Sequence, residues 1–190
     1  TSYVVKDSQL VGDPRLNNAL MTNETIQHLL PDFLNRSEFR ILKDANNNLK
    51  FQIARHNEPL KGGCTLLHSI QAGPELIPSL KLDEEMFVVR KDGKVVRQSA
   101  EALGKHARSA IGIKGKDIVF VAVSNEKKIT IEELAQLLKK YGFTQALAFD
   151  GGSSTSLYVN LPSGKYFNLV SAKDDQARKV KSMFLVKIKQ

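Results

Sequence analysis

Hydrophobic and polar positions alternate along much of the chain, with the two-residue period of half-buried β-strands. In residues 37–54, two such runs flank Asp-Ala-Asn-Asn-Asn, whose residues tolerate turn conformations. Residues 86–97 and 109–123 repeat the arrangement around Lys-Asp-Gly-Lys and Lys-Gly-Lys. The pattern predicts three antiparallel hairpins, preceded by a short strand pair in residues 2–11.

Helical spacing occurs in two segments. Residues 130–141 begin with Thr130 and Glu133 at the spacing of a capping box, and their apolar stripe consists of Ile131, Leu134, Leu137, Leu138 and Tyr141. Residues 13–36 have less regular helical spacing, which we expect Pro31 to close. The sequence therefore predicts one regular helix and one irregular helical segment.

Residues 146–155 form the most informative segment, because four apolar residues end on a carboxylate and pass into glycines and hydroxyls. Residues 146–149 predict a strand buried on both faces, so that Asp150 projects into a crevice beyond the sheet. Glycines let backbone amides approach a ligand closely, and hydroxyls can hydrogen-bond to phosphate or sugar oxygens. The predicted ligand-binding residues here are Gly151, Gly152, Ser153, Ser154 and Thr155. A plain strand followed by a glycine turn is the alternative interpretation.

Together these elements predict an α+β fold in a single domain, residues 1–190, with mixed or antiparallel sheets and a few packed helices. No stretch approaches the roughly 20 apolar residues of a membrane-spanning helix. A single cysteine excludes an internal disulfide framework.

The net charge of +8 suits anionic ligands. Residues 178–189 are the densest basic stretch, and their alternation predicts a half-buried strand with a solvated lysine face. Aromatic residues make up 7% of the chain, without tryptophan or aromatic-basic interleaving, so the sequence does not favour nucleic-acid binding.

Two further segments contain candidate partners of Asp150. Residues 67–74 form a strand-like stretch that stops at Gly-Pro and includes a candidate general base or metal ligand, His68. In residues 106–112, a basic pair opens an apolar strand, and the Arg108 guanidinium offers the fork of donors that phosphate recognition favours. A structural histidine and an exposed strand-start arginine are the alternatives.

In order and spacing, the chain resembles the phosphodiester glycosidase family. The matching pieces are Gln-Ala-Gly-Pro at 71–74, Arg-Ser-Ala-Ile-Gly at 108–112, the helix at 130–141 and Phe-Asp-Gly-Gly-Ser-Ser-Thr at 149–155. Residues 1–5 and 35–40 further resemble the bacterial, particularly cyanobacterial, branch, so the resemblance covers most of the chain. The resemblance also implies export to the periplasm, cell envelope or medium.

The resemblance implies hydrolysis of a sugar-phosphate diester, of an N-acetylglucosamine type, at the bond between the anomeric carbon and the phosphate oxygen. It makes Asp150 and Arg108 the catalytic residues, with Arg108 holding the phosphate. Three roles of Asp150 stay open: general base, carboxylate beside an oxocarbenium ion, and ligand of a divalent cation. Expected substrate contacts, besides those of the 151–155 segment, are Gln71, Gly73 and His106.

One family element is missing, since members usually carry an upstream Asn-Gly-Gly-Phe-Phe-like motif that this sequence lacks. Truncation, proteolysis or self-processing would each explain its absence. In the self-processed case, Thr1 supplies a nucleophilic amine and hydroxyl, and an N-terminal fragment of the same precursor stays associated as a partner.

Two other functions compete. A serine hydrolase would use Ser153 or Ser154 with His68 or His106, although the sequence lacks a Gly-x-Ser-x-Gly elbow. A non-catalytic sugar- or phosphate-binding module of a cell-envelope protein would bind the same ligands without releasing sugar.

Overall fold

A computed structural model describes residues 2–99, 102–172, 178–180 and 183–186 of the chain. Its β-strands, in chain order, are β1 (Val4–Lys6), β2 (Gln9–Gly12), β3 (Ser37–Lys43), β4 (Leu49–Arg55), β5 (Thr65–Gln71), β6 (Glu75–Ile77), β7 (Val88–Lys91), β8 (Lys94–Gln98), β9 (Arg108–Lys114), β10 (Asp117–Val123), β11 (Gln145–Phe149), β12 (Ser156–Asn160) and β13 (Tyr166–Val170). The α-helices are α1 (Asn18–Met21), α2 (Leu30–Leu34) and α3 (Ile131–Lys140). Short 3₁₀ helices span Pro14–Leu16, Glu24–Leu29, Asn125–Lys127 and Gly152–Ser154.

The strands form two main sheets, and all the described pairings are antiparallel. The five-stranded sheet has the order β2-β1-β5-β3-β4, and the four-stranded sheet has the order β10-β9-β11-β6. Strands β7 with β8 and β12 with β13 make separate two-stranded hairpins. Because β11 is an inner strand, its carboxyl end is flanked by neighbours on both sides.

Helix α3 covers one face of the four-stranded sheet. Thr130 caps the helix, its hydroxyl accepting from the Glu133 amide at 3.0 Å while the Glu133 carboxylate accepts from the Thr130 amide at 2.8 Å. The apolar stripe of α3 packs against β6, β9 and β11 in a core of Leu76, Ile77, Ala110, Ile131, Leu134, Ala135, Leu138, Ala146 and Ala148. This packing fixes the strand that leads into Asp150.

The other face of the four-stranded sheet packs on the five-stranded sheet. Phe39 and Ile53 from the larger sheet meet Ile111 and Leu147 from the smaller one. The Gln145 side chain also links the sheets, since its Oε1 accepts from the Ile53 amide at 3.2 Å. Strand β11 is therefore buried on both faces, as its four apolar residues predict.

The α+β fold, the three hairpins and the regular helix are confirmed. Two predictions were wrong. Pro31 lies in the first turn of α2 instead of closing the helical segment, since a proline is tolerated where amides need no helical partner. The predicted strand at 178–189 does not form in its described residues, 178–180 and 183–186, where Phe184 instead packs into an aromatic cluster.

No helix in the described ranges is both long and apolar enough to cross a membrane.

Candidate functional site

The carboxyl end of β11 lies between two other segments that the sequence singled out. On one side is β9, where the Ser109 hydroxyl donates to the Asp150 carbonyl oxygen at 2.8 Å. On the other side, the Gly73 amide donates to the Ala148 carbonyl oxygen and the Ala148 amide donates to the Pro74 carbonyl oxygen, both at 3.0 Å. Three segments therefore meet at one end of the four-stranded sheet, where β11 finishes. They are the Gly-Pro, Arg-x-Ala-x-Gly and Asp-Gly-Gly-Ser segments.

The loop after Asp150 is held by its own backbone. Gly152 has φ of +58°, and its amide donates to the Ala107 carbonyl oxygen at 2.8 Å. The amides of Ser154 and Thr155 donate to the carbonyl oxygens of Gly151 and Gly152 at 3.2 and 3.1 Å. These three amides already have acceptors, so the amide cradle expected at Gly152 is used for the fold. The hydroxyl side chains of the loop are further candidate ligand-binding groups.

Gly151 allows the loop to lie directly on the start of β9. A Cβ at this position would approach the Ala107 carbonyl oxygen to 2.8 Å, which is closer than Cβ atoms come in folded proteins. It would also lie 3.6 Å from Nη1 of Arg108. The glycine is therefore required by close approach of backbone to backbone.

Arg108 lies beneath this loop, with 3% of its surface exposed. Its Nε donates to the Ile129 carbonyl oxygen at 3.1 Å and its Nη2 to the Gly104 carbonyl oxygen at 2.5 Å. The guanidinium thus ties together the chain before β9 and the residue before the cap of α3. The structure thus places Arg108 on the inner side of the loop with main-chain acceptors for Nε and Nη2, whereas the resemblance implied a phosphate contact for this residue.

The outer surface of the loop presents Asp150, Ser153 and Ser154. Asp150 and Ser153 are exposed, and Ser154 is half-buried. The Asp150 carboxylate makes no hydrogen bond or ion pair with the described residues. It can therefore accept a proton or a hydrogen bond from a ligand. Thr155 is fully buried, and its hydroxyl has no partner within the described ranges, so the expected ligand contact at Thr155 does not fit its position.

A small cavity lies behind the loop. It is lined by Arg108 and by residues of the converging segments and their neighbours: Gly73, Pro74, Phe87, Ser99, Ala102, Ile131, Phe149 and Gly151. Its volume of about 20 Å³ suffices for a water molecule and not for a sugar ring. A sugar ligand would therefore have to lie on the outer surface of the loop.

Gly73 has an unusual backbone conformation and lies against the buried side chain of Glu85. Its φ is +131°, and a Cβ there would lie 2.6 Å from Oε2 of Glu85 and 2.9 Å from Cε2 of Phe87. The residue brings the chain beside Ala148 in a conformation that L side chains rarely adopt. The expected substrate contact at Gly73 is thus a structural position next to the site.

Sequence reasoning missed the acidic cluster behind Gly73. The Ser37 hydroxyl lies 2.7 Å from Oε1 of Glu85 and 3.1 Å from Oε2 of Glu75, which also pairs with Lys81 at 2.7 Å. Burial raises the pKa of Glu85 above its ordinary value, and hydrogen bonds from Ser37 oppose the shift. The four residues are separated by as many as 48 positions in sequence, so no local pattern predicts the cluster.

Gln71 serves the scaffold. Its Nε2 donates to the carbonyl oxygens of Leu34 and Arg36 at 2.8 and 3.1 Å, and its Oε1 accepts from the Tyr3 amide at 3.4 Å. The buried amide thus satisfies main-chain groups where β1, β3 and β5 meet. This position differs from the substrate contact expected of Gln71.

The histidines lie apart from one another. His68 is in β5, and its Nδ1 accepts from the Asp7 amide at 3.2 Å, so it holds the turn between β1 and β2. His106 pairs with Ile129 through two backbone hydrogen bonds of 3.1 Å, two residues before Arg108. His106 therefore lies near the loop. His68 lies in the five-stranded sheet, where the Asp7 amide is its partner. Thr1 lies outside the described residues.

Metal-ligating side chains do not cluster in the described ranges, where no group of three or more His, Cys, Asp or Glu residues could hold an ion. One expected role of Asp150 was to bind a divalent cation. The described residues offer no cluster of further ligands for such a cation.

Arg178 reaches the site from the C-terminal segment. Its Nη1 donates to the Ser153 hydroxyl at 3.3 Å, and the residue is exposed. No sequence pattern predicted this contact, because the alternation put Arg178 at the beginning of a predicted strand.

A family model and one solved structure are similar to this chain. The model of a family described as phosphodiester glycosidase matches residues 20–187. No curated protein matches the chain in sequence. Among solved structures, the catalytic domain of zebrafish N-acetylglucosamine-1-phosphodiester alpha-N-acetylglucosaminidase, auto-inhibited by its pro-peptide, is similar with a TM-score of 0.53 and 14% identity. That match covers 82% of this chain and 47% of the zebrafish chain, so the chain spans about half the length of this relative. A hypothetical protein from Synechocystis matches with a TM-score of 0.41 and 21% identity, over 73% of this chain and 32% of its own.

Proposed function

Because the chain belongs to the phosphodiester glycosidase family, we propose that it hydrolyses a sugar phosphodiester at the glycosidic bond, with an N-acetylglucosamine phosphodiester as substrate. The observation that carries the proposal is the meeting of three separate segments at the carboxyl end of β11. There, the exposed carboxylate of Asp150 opens a loop that also carries the hydroxyls of Ser153 and Ser154. Export from the cytoplasm remains part of the proposal.

In the proposed reaction, a water oxygen attacks the anomeric carbon while the bond from that carbon to the phosphate oxygen breaks. The electron pair leaves with the phosphate, giving a phosphomonoester and the free sugar. Asp150 accepts the proton of the attacking water as general base. The departing phosphate is a stable anion, so the leaving group needs hydrogen-bond donors more than a general acid. The hydroxyls of Ser153 and Ser154 supply such donors.

Asp150→Asn tests the proposed base. The variant keeps the size of the side chain and loses the proton acceptor, so we expect the rate of sugar release to fall by about a hundredfold to ten-thousandfold. Release of N-acetylglucosamine from its phosphodiester is measured for this chain and for a longer form that carries additional residues before position 1.

Asp117→Asn is the matched control. Asp117 is also exposed and lies in the same sheet, but it pairs with Lys114 at the opposite end of β9. We expect its activity to equal that of the wild type. Undiminished turnover by Asp150→Asn would refute the assignment, and ligand-induced stabilisation without released sugar would identify a binding module.

A further inference from the structure

We propose that Arg178 is the residue that binds the phosphate of the substrate, an inference that rests on the proposed function. A phosphodiester brings a negative charge to the outer surface of the loop. Arg108 lies on the inner side, almost wholly buried, with main-chain carbonyl oxygens as acceptors of Nε and Nη2. A cation that meets substrate must come from elsewhere.

Arg178 has the position that this requires. It is exposed, and Nη1 donates to the hydroxyl of Ser153 at 3.3 Å, three residues after Asp150. A guanidinium carries five N–H donors, so one bond to Ser153 leaves donors for a phosphate oxygen. Arg178 and the Ser153 hydroxyl would then bind the same phosphate from neighbouring positions.

An aromatic anchor holds the C-terminal segment at this end of the sheet. The ring of Phe184 lies 5.5 Å from that of Phe149, 5.6 Å from that of Phe39 and 5.8 Å from that of Phe120. Phe149 is the residue directly before Asp150. Phe184 therefore contacts the last residue of β11, and Arg178 contacts the loop that follows it.

The chemistry of the side chain makes the proposal specific. A planar guanidinium can bind two phosphate oxygens at once, whereas a lysine ammonium acts as a point charge. Arg178→Gln removes charge and fork, and Arg178→Lys removes the fork alone. The adjacent exposed Lys179 offers a matched control, since Lys179→Gln makes the same change in net charge without the contact to Ser153.

Calorimetric titration with inorganic phosphate tests the proposal without turnover. We expect Arg178→Gln to weaken phosphate binding by about tenfold to a hundredfold, because hydrogen bonds to charged groups are lost. Arg178→Lys should give an intermediate loss, and Lys179→Gln should bind like the wild type. Thermal melting of each variant checks that the fold is intact, which we expect because both side chains are exposed.

Phosphate binding that is unchanged in Arg178→Gln, equally weakened in Arg178→Gln and Lys179→Gln, or absent from the wild type would overturn the proposal. In assays with the N-acetylglucosamine phosphodiester, Arg178→Gln should raise KM more than it lowers kcat. Failure of the wild type to release sugar would count against the proposed function, while the phosphate titration would still decide the role of Arg178.

Discussion

Gly73 is a residue at which both backbone conformation and packing leave little room for a side chain. Alanine there would adopt φ of +131° and bring its Cβ to 2.6 Å from a buried carboxylate oxygen of Glu85. We expect Gly73→Ala to lower the free energy of unfolding by about 1–3 kcal/mol, measured by urea denaturation.

Gly62→Ala is the control for this substitution, because no atom lies within 4 Å of a Cβ at position 62 and its backbone is not left-handed. The two variants should differ clearly in denaturation midpoint. Equal midpoints would mean that the backbone at Gly73 relaxes without cost.

Glu85 gives the stability of the protein a pH dependence. Burial raises its pKa in the folded protein, so the folded state binds this proton more tightly than the unfolded state does. The contribution of Glu85 is therefore full below its ordinary pKa and is lost as pH rises through the folded-state value. We expect the free energy of unfolding of wild type, relative to Glu85→Gln, to fall as the pH rises above the ordinary carboxyl pKa and through the raised folded-state value.

Urea unfolding of both proteins at several pH values measures this difference. The exposed neighbour Glu84 is the control, and Glu84→Gln should show no such trend. A difference between wild type and Glu85→Gln that does not change with pH would show that Glu85 titrates alike in both states.

For single residues, the sequence predicted which of them lie around the site more accurately than it predicted the atoms that they contact. Asp150 and Ser153 are exposed on the loop, as a glycine-rich segment after a buried strand predicts. The acceptors of Arg108 and Gln71 are carbonyl oxygens as many as 37 residues away. Composition and spacing do not reveal which arginine will be buried, because burial is decided by tertiary neighbours.

Helix α3 is the element that connects the core to the site, since the residue before its cap accepts from Arg108. Thr130→Ala removes the hydroxyl that accepts from the Glu133 amide, and we expect it to cost about 1 kcal/mol of stability. Thr130→Ser retains the hydroxyl and should cost much less. Chemical denaturation compares the two variants, and equal losses would mean that the hydroxyl does not stabilise the helix.

Elements were predictable where their signals are local. Turn residues mark the hairpins, and the capping box with its apolar stripe marks α3, so neighbouring residues determine these elements. The C-terminal segment follows a strand-like alternation, but in its described residues no strand forms and Phe184 packs against three aromatic rings. Local pattern does not encode that choice, because the rings come from three different strands.

For the molecule as a whole, the site depends on strand order. Residues 73, 108 and 150 are distant in sequence, and they meet because β11 lies between β9 and β6. Hydrophobic patterning predicts strands without their order, so the convergence came from the resemblance to a family and was then found in the fold. The net charge of +8 fits an anionic substrate but does not locate its binding surface.

The proposed hydrolysis cleaves the bond between the anomeric carbon and the phosphate oxygen. Hydrolysis of an N-acetylglucosamine phosphodiester in ¹⁸O-labelled water, followed by ³¹P NMR and mass spectrometry, tests it directly. We expect the label to enter the sugar and the phosphomonoester to carry none, and we expect the reaction to be lost in Asp150→Asn. Label in the phosphomonoester would show cleavage of the P–O bond, and no reaction by this chain or its extended form would contradict the proposed hydrolysis.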